Sequence, residues 1–444
     1  MSRKPKVEQR FLPGMSPGLV RVAEAARRNP GRLLSLSHHL DVDALRRAYH
    51  RIRAKAAVGV DGVNKEEYGK DLEANLQDLH QRLRSMRYRH QPIRRVHIDK
   101  GGGKTRPIGI STVEDKIVQD SLRELLEAIY EQDFLDCSFG FRPGRSAHDA
   151  LRALNRAVYR REVNVVLEAD IVSFFDRIDR KKLKQLLEQR LADKPLMRLI
   201  GKCLHVGVLD GGVEISPEQG TVQGSTLSPL LANVYLHHAL DTWLEKEVRQ
   251  TLRGKVILVR YCDDFLIGLE HPDEAEHMMT LLGQHLAEFG LELHPDKTRL
   301  VDFRRPSDRD QGGKGPGTFD FLGFTHYYRR SREGRWYMAT KTSCSRLRRA
   351  IKSVHDWCRC HRHWKIPAQH QALRRKLEGH YNYFNVRGNG HANGRLAFWA
   401  RRAWYKWLKR RSQRSRLNWD RFNDLRRDFP LPAPMVTKSL WAPT

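Results

Sequence analysis

The chain has 444 residues, 40% apolar and 9% aromatic, which excludes a disordered chain and leaves room for two to four units of domain size. Lysine and arginine number 81 against 52 acidic residues, and the 29 excess positive charges repel one another unless a polyanion such as nucleic acid neutralises them. No run reaches the ~18–20 apolar residues of a membrane span, no apolar signal core opens the chain, and six scattered cysteines make no disulfide framework, so a reducing cytoplasmic setting is expected.

Residues 1–29 mix basic side chains with Pro13, Gly14, Pro17 and Gly18 and read as a poorly ordered lead-in. A helical pattern follows over 43–53, with Leu45, Ala48, Tyr49 and Ile52 on one face. A second helix is predicted over 65–85, where Tyr68, Leu72, Leu76, Leu79 and Leu83 recur at three-to-four spacing, making 30–85 a helical N-terminal extension. Alternating apolar and basic residues over 92–110, interrupted by Gly101, Gly102 and Gly103, predict a β-hairpin with a basic tip. A buried-type strand at 165–167 runs on into Asp170, and a helix is expected over 180–191. Ser228 and Pro229 suit a helix start, short apolar strands flank Tyr261, Cys262, Asp263 and Asp264, and a helix over 272–289 stops at Gly290. Residues 304–318 read as a loop.

The last quarter of the chain is the most basic. Residues 329–428 hold 28 Lys or Arg against 6 Asp or Glu, together with seven of the nine tryptophans. On a helix predicted over 396–411, Trp399, Trp404 and Trp407 fall on an apolar side and are expected in the core. Arg401, Arg402, Lys406, Lys409 and Arg410 fall elsewhere and, with Arg411, are expected to face nucleic-acid phosphates. Cys358, Cys360, His361 and His363 are spaced too tightly for an ordinary tetrahedral zinc site and read as a polar helix face.

Chemistry concentrates at three carboxylates. Asp263 and Asp264 are adjacent at a turn between hydrophobic strands, a costly placement that a divalent cation relieves. A second strand ends in Asp170, and two such strands side by side bring hard oxygen ligands together. Sites of this kind suit two Mg²⁺ ions about 4 Å apart and in-line nucleotidyl transfer.

Seven blocks in one order then resemble the reverse transcriptases. They are residues 103–110, 138–146 (Ser-Phe-Gly-Phe-Arg-Pro-Gly-Arg-Ser), the strand ending in Asp170, 220–233 (with Ser-Pro-Leu-Leu-Ala-Asn), Tyr261 to Asp264, 290–298, and Phe321-Leu322-Gly323-Phe324. The second and fourth blocks, and the stretch 377–387 with Tyr381, Asn382, Tyr383 and Phe384, are similar to the group II intron-encoded reverse transcriptase/maturase family in particular. The resemblance implies an α+β right-hand polymerase: fingers and palm with antiparallel sheet over 86–328, a helical thumb or maturase region over 329–428, and a tail over 429–444. It implies Asp170, Asp263 and Asp264 as catalytic metal ligands, joined by the Ile171 carbonyl, and Lys104, Arg106, Phe175, Gln223, Gly224 and Lys297 about the incoming dNTP. Leu322 and Gly323 would form the primer grip, and Arg142 and Arg145 would join the thumb cations in binding RNA.

The implied activity is RNA-directed DNA synthesis by a group II intron protein that also assists splicing and mobility of its intron RNA. Intron RNA template, DNA primer or target and dNTPs are the expected partners, no membrane is involved, and nucleoid association is expected during action on DNA. Recruitment to host repair or phage defence, or a splicing cofactor with little polymerase activity, are the alternatives. Cys262 stands where the family usually has alanine and Val222 where it has proline, changes that alter packing without removing a ligand. Only 22 residues follow Phe422, too few for the Cys/His-rich endonuclease of many relatives, so insertion is expected to use existing nicks or single-stranded DNA.

Overall fold

A computed structural model describes residues 14–101, 104–210, 213–215, 220–221, 224–307, 316–435 and 439–440, with 100, 101, 104 and 213–215 as backbone only. The N-terminal region is more ordered than its composition suggests. Ser16 caps a helix over Pro17–Arg28 that buries Leu19, Val22, Ala23 and Ala26, so the expected lead-in is an integral element from residue 17 onward. Its apolar positions outweigh the Pro and Gly signals, because Pro17 falls in the first turn, where proline costs no hydrogen bond.

Asp41 caps the helix Val42–Arg51 through Ala44 N at 2.7 Å. The single helix predicted over 65–85 is broken into Lys65–Tyr68, a 3₁₀ turn Gly69–Asp71 and Leu72–Arg84. The break follows from tertiary packing. Tyr49 donates to the Lys65 carbonyl at 3.0 Å, and its hydroxyl lies so close to Gly69 that a Cβ there would collide with it.

Three sheets follow among the described residues. In the first, Ile93–Gly101 pairs antiparallel with Lys104–Ile110, as the alternation predicts, and parallel with Val208–Asp210, which is joined by Val213–Ile215. The parallel pair departs from the antiparallel sheet expected over 86–328. The second sheet is antiparallel throughout, in the order Val256–Tyr261, Asp264–Leu269, Val165–Asp170, Arg299–Asp302. Helices Val113–Tyr130 and Ser228–Leu236 pack beneath it, the second starting at Ser228 with Leu227 as its cap residue, one position from the expected cap.

A third sheet, Trp336–Thr342, Phe324–Arg330 and Phe319–Phe321, leads into the C-terminal helices. Asn389 fastens the junction, accepting from Thr342 N at 2.8 Å and donating to Thr342 Oγ1 at 2.7 Å and to the Phe384 carbonyl at 2.8 Å. Helices Cys344–Cys360, Ile366–Phe384, Gly390–Lys409 and Trp419–Asp428 pack around Leu373, Leu377, Leu396, Trp404 and Phe422, where the sequence leads one to expect a helical thumb. No described helix is long and apolar enough to cross a membrane.

His326 lies wholly inside the third sheet, stacked on Phe319 at 4.9 Å, and its Nε2 has no hydrogen-bond partner among the described residues. Burial lowers its pKa from 6.5 to about 3. Below pH 6.5 the unfolded chain takes up a proton that the folded chain refuses, so stability is full above 6.5 and falls as the pH drops towards 3, by up to about 1.4 kcal/mol per pH unit. His326→Phe should flatten the acid limb of a melting-temperature profile between pH 6 and about 4; an unchanged limb would assign the acid loss to other groups.

Candidate active site

Segments far apart in sequence meet at one end of the second sheet. Asp170 stands opposite Asp264 in the ladder, and Tyr261 pairs with Asp264 across a two-residue turn made of Cys262 and Asp263. Directly opposed ladder residues have Cα atoms roughly 4.5–5.5 Å apart and side chains on the same face, so Asp170 and Asp264 are immediate neighbours with Asp263 beside them. Cys262 has φ of 62°, the positive φ that tight hairpin turns of the primed types require at their first central residue.

The turn is clamped from behind. Arg260, fully buried, holds both carboxylate oxygens of buried Asp241 at 2.7 and 2.6 Å. Its Nη1 donates to Asn233 Oδ1 at 2.9 Å and to the Cys262 carbonyl at 3.2 Å. Asn233 in turn donates to the Gly140 carbonyl at 2.7 Å, and a Cβ on Gly140 would collide with the backbone nitrogen and sulfur of Cys262. The Gly140 loop and the Asn233 helix are thereby joined to the Cys262–Asp263 turn through one guanidinium. Sequence reading passed over Arg260, Asp241, Asn233 and Gly140 as site residues. The available signal was an arginine inside the apolar strand 256–261, which is tolerated in a core only with a paired acid.

Electrostatics at the front are strained. Burial pushes the Asp264 carboxyl up, to about 7, and the charges of Asp263, Asp170 and Glu168 add to it, although solvent reaching Asp264 through the cleft tempers the burial contribution. Asp263 is raised by burial and by Asp170, with Arg106 and Lys297 opposing. Lys297 pairs with Asp170 Oδ2, and Arg299 binds Glu168 at 2.8 Å. Among the described residues no three His, Cys, Asp or Glu already form a closed metal cage. The three aspartates nevertheless fit divalent ions, being hard oxygen donors whose mutual repulsion only a concentrated positive charge relieves. Ladder bonds to residues 292 and 294 are made by Val172 N and the Asp170 carbonyl, not by Ile171.

Leu322 and Gly323, with φ of 50° and 81°, form the two-residue turn between Phe319–Phe321 and Phe324–Arg330. Positive φ at both positions is the type I′ pattern, which accounts for the glycine. The Leu322 N–H reaches Asp264, the Leu322 carbonyl accepts from Tyr383 Oη at 2.8 Å, and the Gly323 carbonyl accepts from Ser343 N at 3.0 Å. This turn therefore abuts the carboxylates and is steadied by Tyr383 and Ser343.

The remaining elements close in from the first sheet. Gly224, at φ of 112°, abuts Ile108 and Gly109 of its hairpin, where a Cβ would collide with the Gly109 carbonyl. Phe175 is half-buried, edge-on to Phe174 at 5.4 Å, and its carbonyl accepts from Thr221 N at 2.7 Å. The Lys104 side chain and Gln223 lie outside the described residues. The sequence pattern of the reverse transcriptase (RNA-dependent DNA polymerase) family matches residues 98–326, a span that contains all of these groups.

The chain belongs to the reverse transcriptase family. Its relatives include protein YkfC of Escherichia coli (strain K12), 33% identical over 309 residues, 62% of this chain and 77% of that protein. Group II intron-encoded protein LtrA of Lactococcus lactis subsp. cremoris is 37% identical over 191 residues, 43% of this chain and 32% of its own length. Nuclear intron maturase 2, mitochondrial, of Arabidopsis thaliana is 28% identical over 238 residues, 43% of this chain and 30% of its own length. The chain thus spans about a third of the two intron-related proteins.

One expected RNA contact of this reverse transcriptase, Arg142, is revised. Arg142 is buried, bonded to Glu131 at 2.8 and 3.0 Å and to the carbonyls of Leu135 and Ser138, so it braces the loop and presents no charge to RNA. The Arg145 guanidinium is drawn to Asp136 Oδ1 at 2.6 Å and to the carbonyls of Asp136 and Ser138. Both guanidiniums serve the loop over 135–138, whose carbonyls accept from them.

On the thumb, Arg402, Lys406, Lys409 and Arg410 are exposed as expected, and Arg401 is half-buried. Arg411 donates to the carbonyls of His363 and Trp364 at 3.0 and 3.1 Å. Of the three tryptophans expected inside, only Trp404 is fully buried; Trp407 is intermediate and Trp399 is 45% exposed. The helix begins at Gly390, earlier than expected, and small Ala400 and Ala403 occupy its inner face beside Trp404. Trp399 is thereby turned outward.

Proposed function

We propose that this reverse transcriptase copies RNA into DNA for a group II intron and binds the intron RNA to assist its splicing and mobility. The observation that carries the polymerase reading is Asp170 opposed to Asp264, with the Leu322–Gly323 turn against the same carboxylate. The intron reading rests on similarity to LtrA and to an intron maturase, together with the basic thumb.

Asp170, Asp263 and Asp264, with the Ile171 carbonyl, would hold two Mg²⁺ ions, which when bound supply activation of the primer 3′-hydroxyl and charge neutralisation on the departing pyrophosphate. Around them the chain's own groups have separate tasks. The Leu322–Gly323 turn positions the primer end, and Lys104 and Arg106 on the fingers hairpin neutralise the triphosphate. Lys297, freed from Asp170 as the site fills, supplies a proton to the leaving group. Gln223 and Gly224 contact nucleotide and template, and Phe175 lies under the sugar, where its ring excludes a 2′-hydroxyl.

Extension of a DNA primer on an RNA template tests this reading, with dNTPs and rNTPs offered separately. Efficient dNTP addition is expected; equal use of rNTPs would contradict the role of Phe175. Phe175→Ala should raise rNTP use relative to dNTP by at least about 10-fold in single-nucleotide kcat/KM. Arg401, Arg402, Lys406, Lys409, Arg410 and Arg411 provide the thumb's phosphate contacts. RNA affinity should accordingly fall with a log–log salt slope steeper than about −3, measured by filter binding, whereas a flat dependence would remove these residues from the interface.

A further inference from the structure

The outward turn of Trp399 opens a groove of about 690 Å³ between helices Cys344–Cys360 and Gly390–Lys409. Ile351 and Ala403 contribute apolar surface, and Trp399 and Trp419 line it as large rings. Arg348, Lys352, Arg402, Lys406, Lys409 and Arg410 supply its charge, and among the described residues no acidic side chain lines it.

Trp399 and Trp419 are 45% and 40% exposed, so each leaves ring surface open to the groove. The rings are also held in place. Tyr405 stacks on Trp419 at 3.9 Å and 19°, and Arg402 lies over the rings of Phe398 and Trp399 at 5.5 and 6.0 Å. Cations beside an apolar, ring-lined groove match a ligand that carries phosphates and bare π-faces together. A duplex stacks its bases away and offers only backbone, whereas a single strand offers both.

We propose that this groove binds a single-stranded stretch of RNA, its unpaired bases stacking on Trp399 and Trp419 and its phosphates paired with the surrounding cations. The inference deepens the reading of the thumb as an RNA-binding lobe by assigning this face to unpaired nucleotides.

The test uses the full chain, tryptophan fluorescence and anisotropy of labelled twelve-nucleotide oligo(A) and oligo(U), with a blunt RNA duplex of equal length alongside. Wild type should show quenching by the single strands. The Trp399→Ala/Trp419→Ala pair should lose at least about 10-fold in single-strand affinity with a smaller change for duplex, and Trp399→Phe/Trp419→Phe should recover most of the loss. Melting temperatures of all three proteins separate a stacking defect from misfolding. Three results would each overturn the proposal: an Ala pair that is folded and binds single strands as wild type does, equal losses for single strand and duplex, or a Phe pair no better than the Ala pair. Displacement of the RNA by polyglutamate at equal charge would overturn it in favour of an acidic protein partner. Primer extension by the wild type is scored separately, so failure of the polymerase reading and failure of the groove are distinguishable.

Discussion

Asp263→Asn is expected to reduce RNA-templated primer extension by at least about 10³-fold, a barrier increase of about 4 kcal/mol, while leaving the fold intact. The amide keeps the shape of the carboxylate and removes one full charge from the proposed metal-ligand set. It should not unfold the protein, because Asp263 sits among Asp170 and Asp264, and losing its charge relieves repulsion. The melting temperature should therefore be unchanged or slightly higher in metal-free buffer, with RNA affinity within about 2-fold of wild type. Lower activity accompanied by a collapsed melting temperature would move Asp263 from chemistry to structure, and retention of a tenth or more of the activity would remove it from the ligand set.

The second large effect lies behind the turn. Arg260→Met leaves the Asp241 carboxylate buried without its partner and should destabilise the protein by about 3–5 kcal/mol, read from urea unfolding. Arg260→Met combined with Asp241→Leu removes the orphaned charge as well and should regain most of that stability. Activity should not return with it, because the Asn233 amide oxygen and the Cys262 carbonyl still lack the guanidinium that aligns the turn carrying Asp263. A double variant as stable and as active as wild type would reduce the clamp to packing alone.

Local chemistry made the site's core legible. Two carboxylates cannot share a turn between apolar strands without a reason, and a third at the end of another strand supplied one, so Asp170, Asp263 and Asp264 were identifiable before their pairing was visible. The fingers hairpin was legible for the same kind of reason, alternation over 92–110 around glycines. What escaped depends on contacts distant in sequence. Gly69 breaks a helix because Tyr49 occupies its space, Arg142 turns inward because Glu131 and two loop carbonyls need it, and Trp399 turns outward because the thumb core fills with alanines and Trp404. Tyr383 lay in a stretch legible only as similar to the group II intron family, and its hydroxyl holds the turn beside Asp264. Helical periodicity identifies an apolar stripe but does not say which of its edges the neighbouring helix covers.

The most direct test of the account is a divalent-ion titration of primer extension by the wild-type protein on an RNA template. Extension should be absent in EDTA, appear as Mg²⁺ is added, and disappear again on chelation, with RNA remaining bound throughout. RNA binding with no extension at any Mg²⁺ concentration would contradict the claim that Asp170, Asp263 and Asp264 form a working polymerase centre.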